Sequence, residues 1–187
     1  MISKKEGIIL SILSIIGIIS FFYDEFILLF VNSFKNNVLD IILGLFTSIN
    51  TISIILILLV IVLFLYRKDT RKWFPALVYT VLGSSAVSFL LKGFIQRSRP
   101  FGMDKMFFGL LPDYSFPSGH AMVIFSMLPI LDREYPKLKI IWLILAILIA
   151  FSRIYFNIHY LSDVLFGMVL GYIIGLIFVK LKENKKI

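Results

Sequence analysis

The sequence predicts an all-α polytopic membrane protein, a six-transmembrane-helix bundle with an amphipathic interfacial helix between the first two spans. Three observations carry this. Of 187 residues, 59% are hydrophobic and only 16% charged, whereas soluble domains are roughly half apolar and a quarter charged. Mean hydropathy is +0.97. Apolar runs recur at 8–23, 52–66, 73–91, 121–131, 140–151 and 164–179, and polar helix ends extend the shorter ones toward the roughly 20 residues that cross a hydrocarbon core of about 30 Å. Residues 1–187 read as a single integral membrane domain, because this much apolar sequence leaves little chain for anything else.

The first run follows Lys4 and Lys5 and ends in Phe21, Phe22, Tyr23 and Asp24. A signal peptide would end in small residues at a cleavage site, so a retained first helix is expected. Between the first two runs, Phe26, Ile27, Phe30, Val31, Phe34, Val38, Ile41 and Ile42 recur at helical spacing among Asn32, Lys35, Asn36 and Asp40. That pattern predicts an amphipathic helix over 26–48 lying in the interface. Gly167, Gly171 and Gly175 form a stripe of small residues in the last run. Such stripes let helices approach closely, and packing is the expected role here.

Absence of cysteine excludes disulfides, thiolate zinc sites, iron–sulfur clusters and a cysteine nucleophile. The net charge of +8 would suit nucleic acid, but no soluble fold is available to present a basic face, so no nucleic-acid partner is expected. With six spans, the cations sort by loop. Thirteen of the 19, from Lys4 and Lys5 through the 67–72 cluster, Arg133, Lys137 and Lys139 to the C-terminal lysines, fall on one side. By the positive-inside tendency that side is cytoplasmic. The expected location is the cell's inner (cytoplasmic) membrane, multi-pass, with both termini cytoplasmic.

Lys35, Lys92, Arg97, Arg99, Lys105 and Arg153 remain on the outer side, with both histidines of the chain. Charged groups at membrane depth are costly and by default mark a functional cavity. In KGFIQRSRP, Lys92 and Arg99 precede Pro100. They can converge on one anion, a point charge beside a planar fork suited to phosphate. A basic flank touching lipid headgroups is the plainer alternative, and Arg97 is read as such a headgroup or loop contact. In Pro117–Ser118–Gly119–His120, a loop turns into a helix whose first amides and dipole favour an anion. Ser118 and the Gly119 amide would bind phosphate oxygens, and His120 would face the same point. A capped helix start with a histidine satisfied by a loop carbonyl is the alternative there.

In SRIYFNIHYLSD, His159 and Asp163 are four residues apart, one face of a helix. Asp163 would accept the Nδ1 proton of His159 and leave Nε2 free as nucleophile or base. Arg153 would reach the same anion if the chain bends near Asn157. A surface i, i+4 ion pair is the alternative. Asp104 and Asp113 lie in the intervening loop and cluster with neither histidine, so phosphoryl transfer without a metal or other cofactor is expected.

These segments, K-x6-R-P, P-S-G-H and S-R-x5-H-x3-D in this order over residues 92–163, resemble the signature of the type 2 phosphatidic acid phosphatase superfamily. Every signature position matches. The superfamily includes membrane lipid phosphatases, glucose-6-phosphatases and soluble vanadium-dependent haloperoxidases, and the hydropathy argues against the last. The resemblance implies that His159 attacks phosphorus and becomes phosphohistidine, that Asp163 orients it, and that His120 protonates the leaving group and then activates water. It assigns Lys92, Arg99, Ser118, Gly119 and Arg153 to the phosphoryl oxygens. Compact prokaryotic relatives act on undecaprenyl diphosphate, phosphatidylglycerol phosphate or the 1-phosphate of lipid A. A phosphorylated lipid in the bilayer, hydrolysed at the outward face, is therefore the expected substrate. Phe107, Phe108, Leu110, Leu111 and Tyr114 in the 101–116 loop read equally as a lid over its chain or as an aromatic anchor. Two other functions fit the same residues: a lipid-to-lipid phosphotransferase, and an anion or lipid transporter without chemistry.

Overall fold

The computed structural model describes residues 4–47, 60–62, 64–66, 68–102, 105–107 and 111–184. The helices are α1 (Lys4–Ser33), α2 (Asn37–Thr47), α3 (Lys68–Arg71), α4 (Phe74–Ile95), α5 (Gly119–Ser126), α6 (Leu128–Glu134), α7 (Pro136–Tyr155) and α8 (Leu161–Glu183), with further helical residues at 60–62 and 64–66. A 3₁₀ turn, Pro100–Gly102, and two short strands, β1 (Lys105–Phe107) and β2 (Leu111–Asp113), fill the connection from α4 to α5. The strands pair antiparallel with Met106 opposite Pro112. This hairpin is a small addition to an otherwise helical fold.

Among the described residues, α1, α4, α7 and α8 are long and apolar enough to cross a membrane. At 1.5 Å per residue even the 20-residue α7 reaches about 30 Å, a full hydrocarbon core. Their outward faces carry isoleucine and phenylalanine, such as Ile8, Phe22, Phe94 and Ile140. The predicted run at 52–66 lies largely outside the described residues. The run at 121–131 is broken into α5 and α6 at Met127, because Pro129 lacks the N–H that would continue the ladder to Phe125.

The predicted interfacial helix over 26–48 is also divided. Its first part continues α1 to Ser33, and a turn at 34–36 separates it from α2. Asn36 causes the break. Its Oδ1 accepts from Leu39 N–H at 3.0 Å, capping α2, while its own N–H donates to Tyr155 Oη at 3.2 Å. Tyr155 Oη in turn donates to Asp40 Oδ1 at 2.7 Å, fastening α2 to the end of α7.

Two stripes of small residues bring α5 into the centre. On α4, Ala76, Thr80, Ser84 and Ser88 recur every fourth residue and are buried. On α8 the glycines face α5 so closely that a Cβ at Gly171 would lie 2.1 Å from Met122 O, and one at Gly175 2.1 Å from Ser126 O. The glycine stripe is a packing device, as its spacing predicted. The next residue along the α4 stripe is Lys92, which is thereby carried to the start of α5.

Charges collect at both ends of the bundle. Tyr172 Oη donates to Glu6 Oε1 at 2.6 Å, and Arg133 pairs with Glu183 at 2.6 Å. The start of α1 and the end of α6 therefore meet the second half of α8. Lys92, Arg97, Arg99, Arg153 and both histidines gather at the opposite end, around the start of α8.

Candidate active site

Each catalytic candidate is set by a local backbone feature. Gln96 caps α4 in the left-handed region (φ 51°) and its N–H returns to Lys92 O. The chain then leaves the helix and runs without regular structure over 97–99. Arg97 O accepts from Ser115 N–H at 2.7 Å, which ties this segment to the one preceding α5. Lys92 Nζ donates to Tyr114 O. Arg99 is buried and its Nη1 donates to Ile158 O at 2.7 Å, crossing to the loop between α7 and α8.

Ser118 occupies the N-cap position of α5, as predicted, but its side chain makes no capping bond. Its Oγ is fully buried and has no hydrogen-bond partner among the described residues. A buried hydroxyl in that state costs free energy unless something outside the chain satisfies it. Ser118 N–H donates to Asp163 O at 3.0 Å, so α5 and α8 start side by side. Gly119 lets Ser88 approach closely, since a Cβ there would lie only 3.1 Å from Ser88 Oγ. His120 follows in the first turn, half-buried.

The third segment differs from its predicted geometry. α8 begins at Leu161, so His159 precedes the helix and does not share a helical face with Asp163. Asn157, at φ 56°, reverses the chain at the predicted bend. Ile158 N–H and His159 N–H then both donate to Arg153 O, at 2.9 and 3.1 Å. Asp163 sits in the first turn of α8, where its Oδ2 accepts from Tyr160 N–H at 2.8 Å, half of a capping box. The His159 Nδ1 to Asp163 Oδ2 distance is 3.7 Å. The pair is close but not directly hydrogen-bonded.

His159 and Asp163 are buried. Burial holds the His159 imidazole well below its usual pKa, and Arg99, Lys92, Arg153 and His120 push it further the same way. The imidazole is therefore neutral near pH 7. Charges act on it through space in this way only from nearby. The structure thus brings Lys92, Arg99, Arg153, His120, His159 and Asp163 into one site, with Ser118 and Gly119 at its edge.

Arg97 departs from its reading as a headgroup contact. Its Nη1 donates to Asp163 Oδ1 at 2.7 Å and to Ser162 Oγ at 2.6 Å, and its Nη2 donates to Asp24 Oδ2 at 2.7 Å. The guanidinium lies between the Phe21 and Tyr160 rings, 4.5 and 4.1 Å from their centroids. Asp24, on α1, also accepts from Ser162 N–H at 3.1 Å and from Ser162 Oγ. Beside this network a cavity of about 190 Å³ opens, lined by Phe21, Phe22, Asp24, Glu25, Arg97 and Tyr160. The sequence carried one clue to Asp24: an acid at the end of a membrane run calls for a cationic partner. Ser115 and Ser162 carried none.

Comparison with known proteins places this constellation. Residues 73–187 match the PAP2 superfamily, a segment that contains every signature residue and excludes Asp24. An undecaprenyl-diphosphatase of Sulfolobus acidocaldarius is 32% identical over 65% of this chain and 61% of its own. Phosphatidylglycerophosphatase B of Bacillus subtilis is 32% identical over 67% of this chain and 66% of its own. The matched part is thus less than two thirds of either relative's length. Among solved structures, Aquifex aeolicus LpxE superposes with a TM-score of 0.69 at 27% identity, covering 84% of this chain and 94% of that one. A transmembrane PAP2-type phosphatidylglycerolphosphate phosphatase of B. subtilis shares the fold at a TM-score of 0.68 and 22% identity, covering 95% and 94%. With its three signature segments gathered around one buried histidine inside the matched residues, this chain belongs to the PAP2 superfamily.

Proposed function

We propose that the protein is an integral membrane lipid phosphatase that removes the terminal phosphate of a phosphorylated lipid at the extracytoplasmic face, without a metal. The observation that carries this reading is the buried His159, next to Arg99's contact at Ile158 and near enough to Lys92 and Arg153 for their charges to act on it. A neutral imidazole is a nucleophile, and cations around it stabilise the charge on a transferring phosphoryl group.

In this mechanism His159 Nε2 forms a bond to phosphorus as the bond to the leaving oxygen breaks, and His120 gives that oxygen its proton. Water then attacks the phosphohistidine while His120 takes a proton from it, releasing inorganic phosphate and restoring both histidines. Lys92, Arg99, Arg153, Ser118 Oγ and the Gly119 amide hold the non-bridging oxygens. The orphaned Ser118 hydroxyl suits that task. The named activities of the relatives make undecaprenyl diphosphate and phosphatidylglycerol phosphate the first substrates to try, and the family resemblance adds lipid A 1-phosphate. Six spans with both termini cytoplasmic put the site outside, since the densest cation clusters collect at the other end of the bundle.

The test is phosphate release by purified protein from each of these lipids in micelles. One lipid should turn over well above the others, and His159→Ala should abolish release. No release from any of them, or release that survives His159→Ala, overturns the proposal.

A further inference from the structure

Ser115 stands between His159 and Asp163. Its Oγ lies 3.3 Å from His159 Nδ1 and donates to Asp163 Oδ2, whereas the two flanking groups are 3.7 Å apart. Ser115 is fully buried, and its N–H is fixed to Arg97 O at 2.7 Å. It lies just outside the P-S-G-H segment, and neither its spacing nor its type marked it in the sequence.

A hydroxyl has one proton and two lone pairs. The Ser115 proton is committed to the carboxylate, which can only accept. What Ser115 then offers Nδ1 is a lone pair, so Nδ1 must carry the imidazole hydrogen. Nε2 is left with the lone pair. The other oxygen of Asp163 is held by Arg97, and Tyr160 N–H shares Oδ2, which keeps the carboxylate an acceptor.

We propose that Ser115 is a positioning residue that couples Asp163 to His159, fixing the Nδ1–H tautomer and the ring orientation through its hydroxyl. The inference rests on the reading of His159 as nucleophile. It places Asp163 one hydroxyl away from the histidine it orients. When Nε2 becomes bonded to phosphorus the ring turns cationic, and the same hydroxyl relays the carboxylate's charge to Nδ1–H.

Two measurements test this. Because the chain has two histidines, ¹⁵N-histidine labelling of the full-length protein in micelles gives two imidazoles, and His120→Asn identifies the signals of His159. The wild type should show His159 protonated at Nδ1 and bare at Nε2. Ser115→Ala should lower kcat by about 10- to 100-fold, as when the partner that orients a metal-bound histidine is removed, with KM within about twofold. Ser115→Thr, which keeps the hydroxyl, should recover most of that loss. A wild-type His159 protonated at Nε2 overturns the inference even if Ser115→Ala fails to fold. So does a folded Ser115→Ala with unchanged kcat. Either result leaves the phosphatase reading intact, which fails separately if the wild type releases no phosphate or His159→Ala still does.

Discussion

Arg97 and Asp24 form a 2.7 Å ion pair that joins the segment after α4 to α1, and the same guanidinium holds Asp163. One cation thus serves two buried carboxylates 139 positions apart in the chain, one of them at the candidate catalytic centre. Removing it strands both. Arg97→Ala should cost about 3–5 kcal/mol, as for other buried pairs that lose a partner, read as a fall in the midpoint of thermal unfolding in detergent. Combined with Asp24→Ala, the effects should be non-additive by more than about 0.5 kcal/mol. Additive effects would show that the two residues act separately.

His159 gives a pH prediction with a definite sign. Its folded pKa is depressed by burial and by Arg99, Lys92, Arg153 and His120, and Asp163 and Ser115 lie against its Nδ1. The unfolded imidazole titrates near 6.5. Below about pH 6.5 the unfolded chain takes up a proton that the folded site refuses, so stability from this group falls as pH drops. It is constant above. The acidic limb of kcat/KM that belongs to His159 should likewise lie below about pH 6.5, after correction for the substrate's own ionisation near pH 6. A limb centred higher would mean that the imidazole is not neutral as described.

At Gly171 and Gly175 an added methyl meets backbone oxygen, which cannot rotate away. Gly171→Ala should therefore exceed the usual overpacking cost of about 1–3 kcal/mol, with loss of folded yield in detergent. Gly44, with nothing within 4 Å of its Cβ position, should accept alanine. Equal yields from the two variants would show that α5 and α8 are not packed as closely as described.

Orthovanadate, which takes the five-coordinate geometry of the transferring group, should inhibit competitively. EDTA should not. Activity lost in EDTA and restored by Mg²⁺ would exclude the metal-free route.

Orientation can be read by chemistry the chain does not itself contain. Since it has no cysteine, Lys105→Cys introduces a single thiol in the α4–α5 connection. An impermeant maleimide should label it in intact cells. Labelling only after lysis would turn the site to the cytoplasm.

Local spacing made the signature residues legible, because Lys92, Arg99, Ser118, His120, Arg153, His159 and Asp163 carry chemistry that a membrane interior tolerates only for a purpose. The reason given for one of them was nevertheless wrong. His159 and Asp163 approach through a left-handed turn at Asn157 and a capping box, not through a helical face. Arg97, set among other basic residues, looked like a surface cation, and its partner Asp24 lies 73 positions away. Such a pairing is made by the fold, which brings α1 beside the segment after α4, and no local pattern encodes it. Ser115 was an ordinary loop serine until the fold placed it against two groups at once. Apolar periodicity found the long helices, but it could not see the break at Met127, where Pro129 interrupts a run of suitable hydrophobicity.

The carbonyl of Arg153 accepts hydrogen bonds from both Ile158 and His159, so the candidate nucleophile is tied by one tight turn to a cation in the last turn of α7. Their separation is a covalent matter, set within six residues of chain. Lys92 and Arg99 approach from the far side of a helix interface, held there by helix packing and the Arg99 bond to Ile158 O. One side of the site is therefore set by the local chain, and the other by how helices pack. A substitution in the interfaces of α4 therefore moves Lys92 without altering the turn that joins Arg153 to His159.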